Sequence, residues 1–303
     1  MTASGTCGLG TELDAYMPLS ELGAVVVKSL AAFEWGGNPR PRLHPTSVGI
    51  LNVVGLQGPG IEDWIANDLE QLNAVGATVV CSIWGFSVQD YVDAANMLAP
   101  VRDQIVALEI NLSCPNLKGA SVGDNKPHTM FAHDASLAAQ IVSAVEVAGI
   151  PRWAKLSPNT DRIGDVAQAC VDAGAEALTL VNTSLGMIID TQTGRPALGN
   201  GGGGLSGRAI HPIAVRAIYD VCARIPDVPI VGVGGVTNGR EALEMMMAGA
   251  SAVQVGTATF AEPRAAYRIA CELQQWADRH KISEWSEIVG VSHRGGFTSP
   301  SKW

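Results

Sequence analysis

No two cysteines of this chain stand at metal-binding spacing. The six occur singly, at Cys7, Cys81, Cys114, Cys170, Cys222 and Cys271. The chain therefore encodes neither a zinc site nor an iron–sulfur cluster of its own, and no metal is expected. Scattered free thiols fit a reducing cytoplasm. Positive charge is also short: 20 Lys and Arg against 29 Asp and Glu leave a formal charge of -9 and a pI near 5.1. Nucleic acids and anionic membrane surfaces require basic patches, so neither is an expected partner. No apolar run approaches the roughly 18 residues of a membrane span, and no signal peptide is expected. Short-period repeats and low-complexity linkers are missing too. What remains is ample material for a core: 47% hydrophobic residues in 303. That length suits one large α/β barrel or two smaller domains.

Strand-like and helix-like patterns alternate from end to end. Apolar runs at Ala24–Val27, Thr78–Ile83, Ala107–Leu112, Trp153–Leu156, Ala177–Val181, Pro229–Val233 and Ala252–Val255 predict strands. Amphipathic stretches between them predict helices over Glu62–Ala74, Val88–Leu98, Ala135–Ala148, Arg162–Ala173, Arg208–Arg224, Arg240–Ala248 and Pro263–Arg279. Repeated βα units imply a parallel sheet. Seven strands and a fragment at the start predict a (β/α)8 TIM barrel, one domain over residues 1–303, with long loops at its C-terminal face and a shortened first strand. A doubly wound open sheet is the alternative. Leu51–Gly60 and Gly194–Gly207 read as glycine-rich loops, and 117–134 as a long polar loop whose His128 and His133 are solvated.

The chain is organised around Ala107–Lys118, which reads ALEINLSCPNLK. A buried strand with one charge ends in Asn111, Ser113, Cys114 and Asn116, with Pro115 breaking it. Polar groups crowded at a strand's C-terminal end suggest an α/β active site, although a free cysteine is as often a buried structural residue. Lys28 closes the second strand, where it either meets an anion or snorkels to the surface. Lys155 lies inside an apolar strand and is either functional or half of an internal ion pair. Asn52, Asn111, Asn116 and Asn182 together offer four amides. Each supplies donor and acceptor, which suits a planar ring with alternating C=O and N–H groups, though any single one is equally a turn residue. Gly234–Gly235 and Gly256–Thr257 follow the last two strands. Bare N–H groups at that position favour a phosphate without identifying its bearer.

NLSCPN resembles the active-site segment of soluble dihydroorotate dehydrogenases. ASGTCG, LGAVVVKS, GNPRPR, LNVVGLQGPG, WAKLSPN, TLVNT, GGGLSG, PIVGVGG and GASAVQVGTA agree with that family in order, over nearly the whole chain. The stretch SLGMIIDTQTGRPALGNGGGGLSG is most similar to the heteromeric, NAD-linked class 1B catalytic subunit. Two departures stand out. Only Met1 and Thr2 precede the ASG motif, where relatives carry a hairpin and most of the first strand. After Lys28, where the family favours threonines and an acid-Pro-Arg triplet, this chain has Leu30, Ala31, Phe33, Glu34 and Trp35. The segment after Leu117, a lid over the substrate in the family, is longer here around 121–128.

The resemblance implies FMN-dependent oxidation of (S)-dihydroorotate to orotate in de novo pyrimidine biosynthesis. It makes Cys114 the base at C5, with hydride passing from C6 to flavin N5, and sets Lys155 beside the flavin's N1–O2 edge. It assigns the substrate to Lys28, Asn52, Val54, Gly55, Leu56, Asn111, Asn116, Asn182 and Thr183. Flavin contacts fall to Ala3, Ser4, Gly5, Lys28, Ser29, Asn111, Lys155 and Val181, with Gly207, Gly234, Gly235, Gly256 and Thr257 around the phosphate. Electrons then leave through a partner subunit carrying FAD and an iron–sulfur cluster, since the chain has neither a cluster motif nor a dinucleotide fingerprint of its own. The core is expected to be a homodimer in the cytoplasm. The rivals are a flavin barrel acting on another dihydropyrimidine, favoured by the altered Lys28 loop, and a non-catalytic barrel that only binds flavin or phosphate.

Overall fold

The computed structural model describes residues 1–112 and 130–297. Its strands, in chain order, begin with β1 (Val25–Val26), β2 (Leu43–Thr46), β3 (Gly49–Asn52), β4 (Val79–Ile83), β5 (Ala107–Asn111), β6 (Arg152–Leu156) and β7 (Ala177–Leu180). They continue with β8 (Ser184–Gly186), β9 (Ile189–Asp190), β10 (Arg195–Pro196), β11 (Gly203–Ser206), β12 (Ile230–Val233) and β13 (Ala252–Gln254). The helices are α1 (Ile61–Trp64), α2 (Glu70–Ala74), α3 (Val88–Leu98), α4 (Ala135–Ala144), α5 (Ile163–Asp172), α6 (His211–Arg224), α7 (Gly239–Ala248), α8 (Ala258–Ala261) and α9 (Ala265–His280).

Seven strands form one parallel sheet in the order β1-β4-β5-β6-β7-β12-β13. Parallel neighbours need crossover connections, and a helix fills each one. Both faces of β4 and β5 are buried throughout, which is why these strands read as unbroken apolar runs rather than alternating ones. The two edges of the sheet meet at residues 1–3. Thr2 N donates to Ala24 O at 3.2 Å, Ala3 N to Val255 O at 2.9 Å and Val255 N to Met1 O at 2.9 Å. Thr2 Oγ1 accepts from Val26 N at 2.9 Å.

Helices α5, α6 and α7 pack buried apolar residues against this sheet. In α3, Tyr91, Ala94, Ala95 and Leu98 are buried at helical spacing. Ser87 starts that helix with a reciprocal capping pair to Asp90, satisfying two of its free N–H groups. Asp134 caps α4 by accepting from Leu137 N, and Asn238 caps α7 by accepting from Glu241 N. Helical residues 61–74 contain one wider turn at Ile65–Leu69. Among the described residues, no helix is long and apolar enough to cross a membrane.

Two stretches expected to be irregular contain strand residues. β3 includes Leu51 and Asn52, and β11 occupies Gly203–Ser206, with Arg195–Pro196 forming a further short strand against β9. Together β2, β3, β11 and β8 make a four-stranded antiparallel sheet, pairing Gly204 with Asn52 and Leu205 with Ser184. Glycine weakens a strand only by entropy; its N–H and C=O still pair, and close approach of neighbouring backbones favours it. A second correction concerns His133. It closes a short 3-10 helix over Phe131–His133, and its Nε2 is buried rather than solvated. Ala132 N donates to Leu112 O at 2.9 Å, which draws this turn against β5.

Candidate active site

The parallel strands deliver their C-terminal ends to one cavity, open to solvent. Residues 3–6 enter it from the start of the chain, Lys28 and Ser29 from beyond β1, Asn111 from β5 and Lys155 from β6. Val181, Asn182 and Thr183 follow β7, Gly234 and Gly235 follow β12, and Gly256 and Thr257 follow β13. The antiparallel sheet walls the other side with Asn52, Val54, Gly55, Leu56 and Gly207. Every site residue expected from sequence and lying within the described residues lines this one cavity. Ser113, Cys114, Asn116 and His128 lie outside them.

Hydrogen bonds fix the amide side of the cavity. Asn111 is buried; its Nδ2 donates to Ser29 Oγ at 3.1 Å, and its carbonyl accepts from Tyr91 Oη at 2.8 Å. Ser29 Oγ also meets Ser4 Oγ at 3.1 Å and Ser82 Oγ at 2.9 Å. Asn182 Oδ1 accepts from Thr183 N at 2.8 Å, and Asn52 Nδ2 donates to Gly204 O at 3.2 Å. Asn182 Nδ2 reaches Asn111 Oδ1 at 3.4 Å. These amides are thus held in fixed orientations, as recognition of a planar ring requires.

Lys155 is half of an internal ion pair and also reaches the cavity. Its Nζ lies 2.9 Å from Glu109 Oε1. Glu109 is fully buried, and its other oxygen accepts from Gln254 Nε2 at 2.8 Å. Sequence reasoning missed Glu109 and Gln254 as part of the site. The signal was present: a single charge inside an otherwise apolar strand must find a partner.

At the opposite end lies a glycine cradle. Gly207, Gly234 and Gly235 have φ of +98°, +141° and +71°. A Cβ on Gly207 would stand 2.7 Å from Gly49 Cα, and one on Gly235 would stand 2.7 Å from Gly207 O. Only glycine fits at these positions, which brings bare backbone N–H groups to the cavity wall beside the start of α6. Such a surface suits a phosphate, and the cradle together with the Lys155 end fits an elongated ligand carrying one.

An aromatic cluster supports the Val54–Leu56 backbone. Trp35 Nε1 donates to Gly55 O at 3.0 Å, and Trp35 and Gly58 exchange both backbone bonds. Trp35 meets Phe86 edge-on at 5.1 Å, and Trp84 meets Phe86 at 5.0 Å. Leu56 adopts φ +62°, rare for a non-glycine residue and costly enough that its surroundings must enforce it. Trp35, in the stretch after Lys28, therefore supports one cavity wall.

The buried thiols of Cys7, Cys81 and Cys170 stay protonated at neutral pH and are poor bases. Burial pushes Cys7 up to about 11 and Cys170 up to about 12, and raises Cys81 as well. Buried thiols of this kind are chemically inert.

A parallel α/β sheet whose strand ends bring glycine N–H groups, a buried lysine and oriented amides into one cavity has the layout of an α/β enzyme site. Residues 1–276 match the family model for dihydroorotate dehydrogenase. A "Dihydroorotate dehydrogenase B (NAD(+)), catalytic subunit" from Geobacter metallireducens is 41% identical over 292 residues, 96% of this chain and 93% of that protein. Proteins of the same description from Pelobacter propionicus and Desulforudis audaxviator are each 42% identical, the latter over 98% of this chain and 94% of its own length. The chain belongs to the dihydroorotate dehydrogenase family. It is an oxidoreductase, and the family implies a flavin.

Proposed function

We propose that this chain is the FMN-bearing catalyst that oxidises (S)-dihydroorotate to orotate in pyrimidine biosynthesis, built as one (β/α)8 barrel over residues 1–303. Met1–Ala3 serves as the eighth strand, since it hydrogen-bonds to both edges of the seven-stranded sheet. The observation that carries the reading is convergence: oriented amides, a buried lysine and a glycine cradle line one cavity in a chain of this family.

The glycine cradle of Gly207, Gly234, Gly235, Gly256 and Thr257 would hold the FMN phosphate, and Ala3, Ser4, Gly5 and Val181 would contact its ring system. The flavin, when bound, accepts the hydride from C6 of the substrate. Lys155 would provide a fixed cation at the flavin's N1–O2 edge, favouring negative charge there. Asn52, Asn111, Asn116 and Asn182 pair with the substrate's carboxylate and its ring C=O and N–H groups, and Lys28 and Thr183 add to that grip. Cys114 takes the C5 proton onto its sulfur. Loss of that proton and of hydride from C6 leaves the C5–C6 double bond of orotate.

Electrons leave through a partner subunit carrying FAD and an iron–sulfur cluster, around a homodimeric core in the cytoplasm. Support comes from the NAD-linked, catalytic-subunit description of the relatives and from the chain's own scattered thiols. The test is direct. The purified protein should be yellow and release FMN on denaturation, and dihydroorotate should bleach it faster than any other dihydropyrimidine in a substrate panel. Release of FAD alone, or failure to load FMN, would reject the cofactor. Preferential bleaching by a different dihydropyrimidine would favour a changed substrate, for which the aromatic support under Gly55 is the structural motive.

A further inference from the structure

Glu109 is a buried carboxylate with no role in the chemistry above. Its surroundings are specific. One oxygen meets Lys155 Nζ at 2.9 Å and the other accepts from Gln254 Nε2 at 2.8 Å. Glu109 and Gln254 are fully buried, and Lys155 is 5% exposed. Glu109 and Lys155 sit on adjacent strands, two residues below and level with Asn111 respectively, because β5 pairs Asn111 with Lys155. A carboxylate held this way gains little for stability by itself, since desolvation offsets most of the attraction. An apolar pair would serve packing as well. What an apolar pair would not do is set the field that Lys155 presents to the cavity.

We propose that Glu109, clamped by Gln254, is a positioning residue that anchors the Lys155 ammonium and partly neutralises it, and so lowers the reduction potential of the bound flavin. This rests on Lys155 lying beside the flavin. A cation at that edge stabilises the negative charge gained on reduction; an anion 2.9 Å behind the cation offsets that stabilisation. Removing the anion while keeping the cation strengthens the preference for the reduced flavin. Gln254 holds the carboxylate oxygen that faces away from Lys155, so its loss lets the pair drift without changing its charge.

The experiment is dye-equilibrated potentiometry on FMN-loaded Glu109→Gln, Glu109→Asp, Lys155→Met and the double variant Glu109→Gln/Lys155→Met, with FMN affinity and thermal unfolding measured alongside. Glu109→Gln should raise the ratio of reduced to oxidised flavin at fixed potential by about tenfold, which is about 30 mV for a two-electron couple. Glu109→Asp keeps the charge and should stay near the parent. Lys155→Met should shift the ratio the other way, and the double variant should return toward the parent. If Glu109→Gln does not fold because the ammonium is left unpaired, the double variant should fold, and its potential lying above that of Lys155→Met carries the same conclusion. An unchanged potential in folded Glu109→Gln overturns the proposal, as does a double variant that is unfolded, which would make Glu109 purely structural. If Lys155→Met itself leaves the potential unchanged, the placement of Lys155 beside the flavin is what fails.

Discussion

Replacing Gly235 with alanine tests the phosphate cradle at its tightest point. Gly235 has φ +71°, so an L-residue there carries a left-handed strain of about 1–2 kcal/mol. Its new Cβ would lie 2.7 Å from Gly207 O, 2.9 Å from His211 Cβ and 3.0 Å from His211 N. Two of these atoms are backbone and cannot swing away, so the cradle must open, at roughly 1–3 kcal/mol for an overpacked site. The sum is about 2–5 kcal/mol, shared between stability of the protein and its grip on the phosphate. At about 1.4 kcal/mol per tenfold, FMN affinity should fall at least tenfold. Gly194→Ala is the control: φ is +69°, nothing lies within 4 Å of the added Cβ, and the residue is outside the cavity. It should lower the melting temperature by a few degrees and leave FMN affinity alone. The assay is flavin-fluorescence titration of both apoproteins with parallel thermal melts. Parental FMN affinity in Gly235→Ala, with stability no lower than Gly194→Ala, would refute the cradle.

Lys155→Ala removes the cation and strands the Glu109 carboxylate; the flavin potential should fall and kcat should drop on the order of 10²–10³-fold, and an unchanged potential in a folded, flavin-loaded variant would count against the role. Trp35→Phe keeps the ring contacts with Phe86 but loses the N–H donated to Gly55 O; steady-state kinetics should show KM for dihydroorotate rising about 2–10-fold with kcat nearly unchanged, the worth of one hydrogen bond. Thiol reactivity separates the cysteines. With Cys7 raised to about 11 and Cys170 to about 12, both are almost wholly protonated at pH 8, so iodoacetamide mapped by mass spectrometry should label Cys114 well before either; early labelling of Cys7 would show that it is not buried as described.

Much of this architecture was legible before any coordinates. The strands were readable because parallel strands buried on both faces leave continuous apolar runs, as in Val79–Ile83. Helix starts were readable from caps such as Ser87 and Asn238. The antiparallel sheet was not. Gly203, Gly204 and Gly49 carry no side-chain periodicity, and their pairing is written only in backbone groups that every residue shares. The candidate site residues were named by the family motifs, and the cavity gathers those that are described. Glu109 was passed over because a charge in a strand identifies its partner only across the fold, 46 residues on at Lys155 and 145 on at Gln254. Trp35 was seen as a departure from pattern. Its use, holding the carbonyl of Gly55, needed the third dimension.

The central claim is that this chain takes a proton and a hydride from dihydroorotate, with Cys114 as the base. Anaerobic stopped-flow mixing of the FMN-loaded protein with (S)-dihydroorotate, across pH and alongside Cys114→Ser, tests it most directly. A thiol near its ordinary pKa of about 8.5 must ionise to act, so flavin bleaching should accelerate with rising pH toward that value. Cys114→Ser should bleach about 10²–10⁴-fold more slowly while still binding orotate. Bleaching of Cys114→Ser at the parental rate near neutral pH, or parental flavin that dithionite reduces and dihydroorotate does not, would contradict the account.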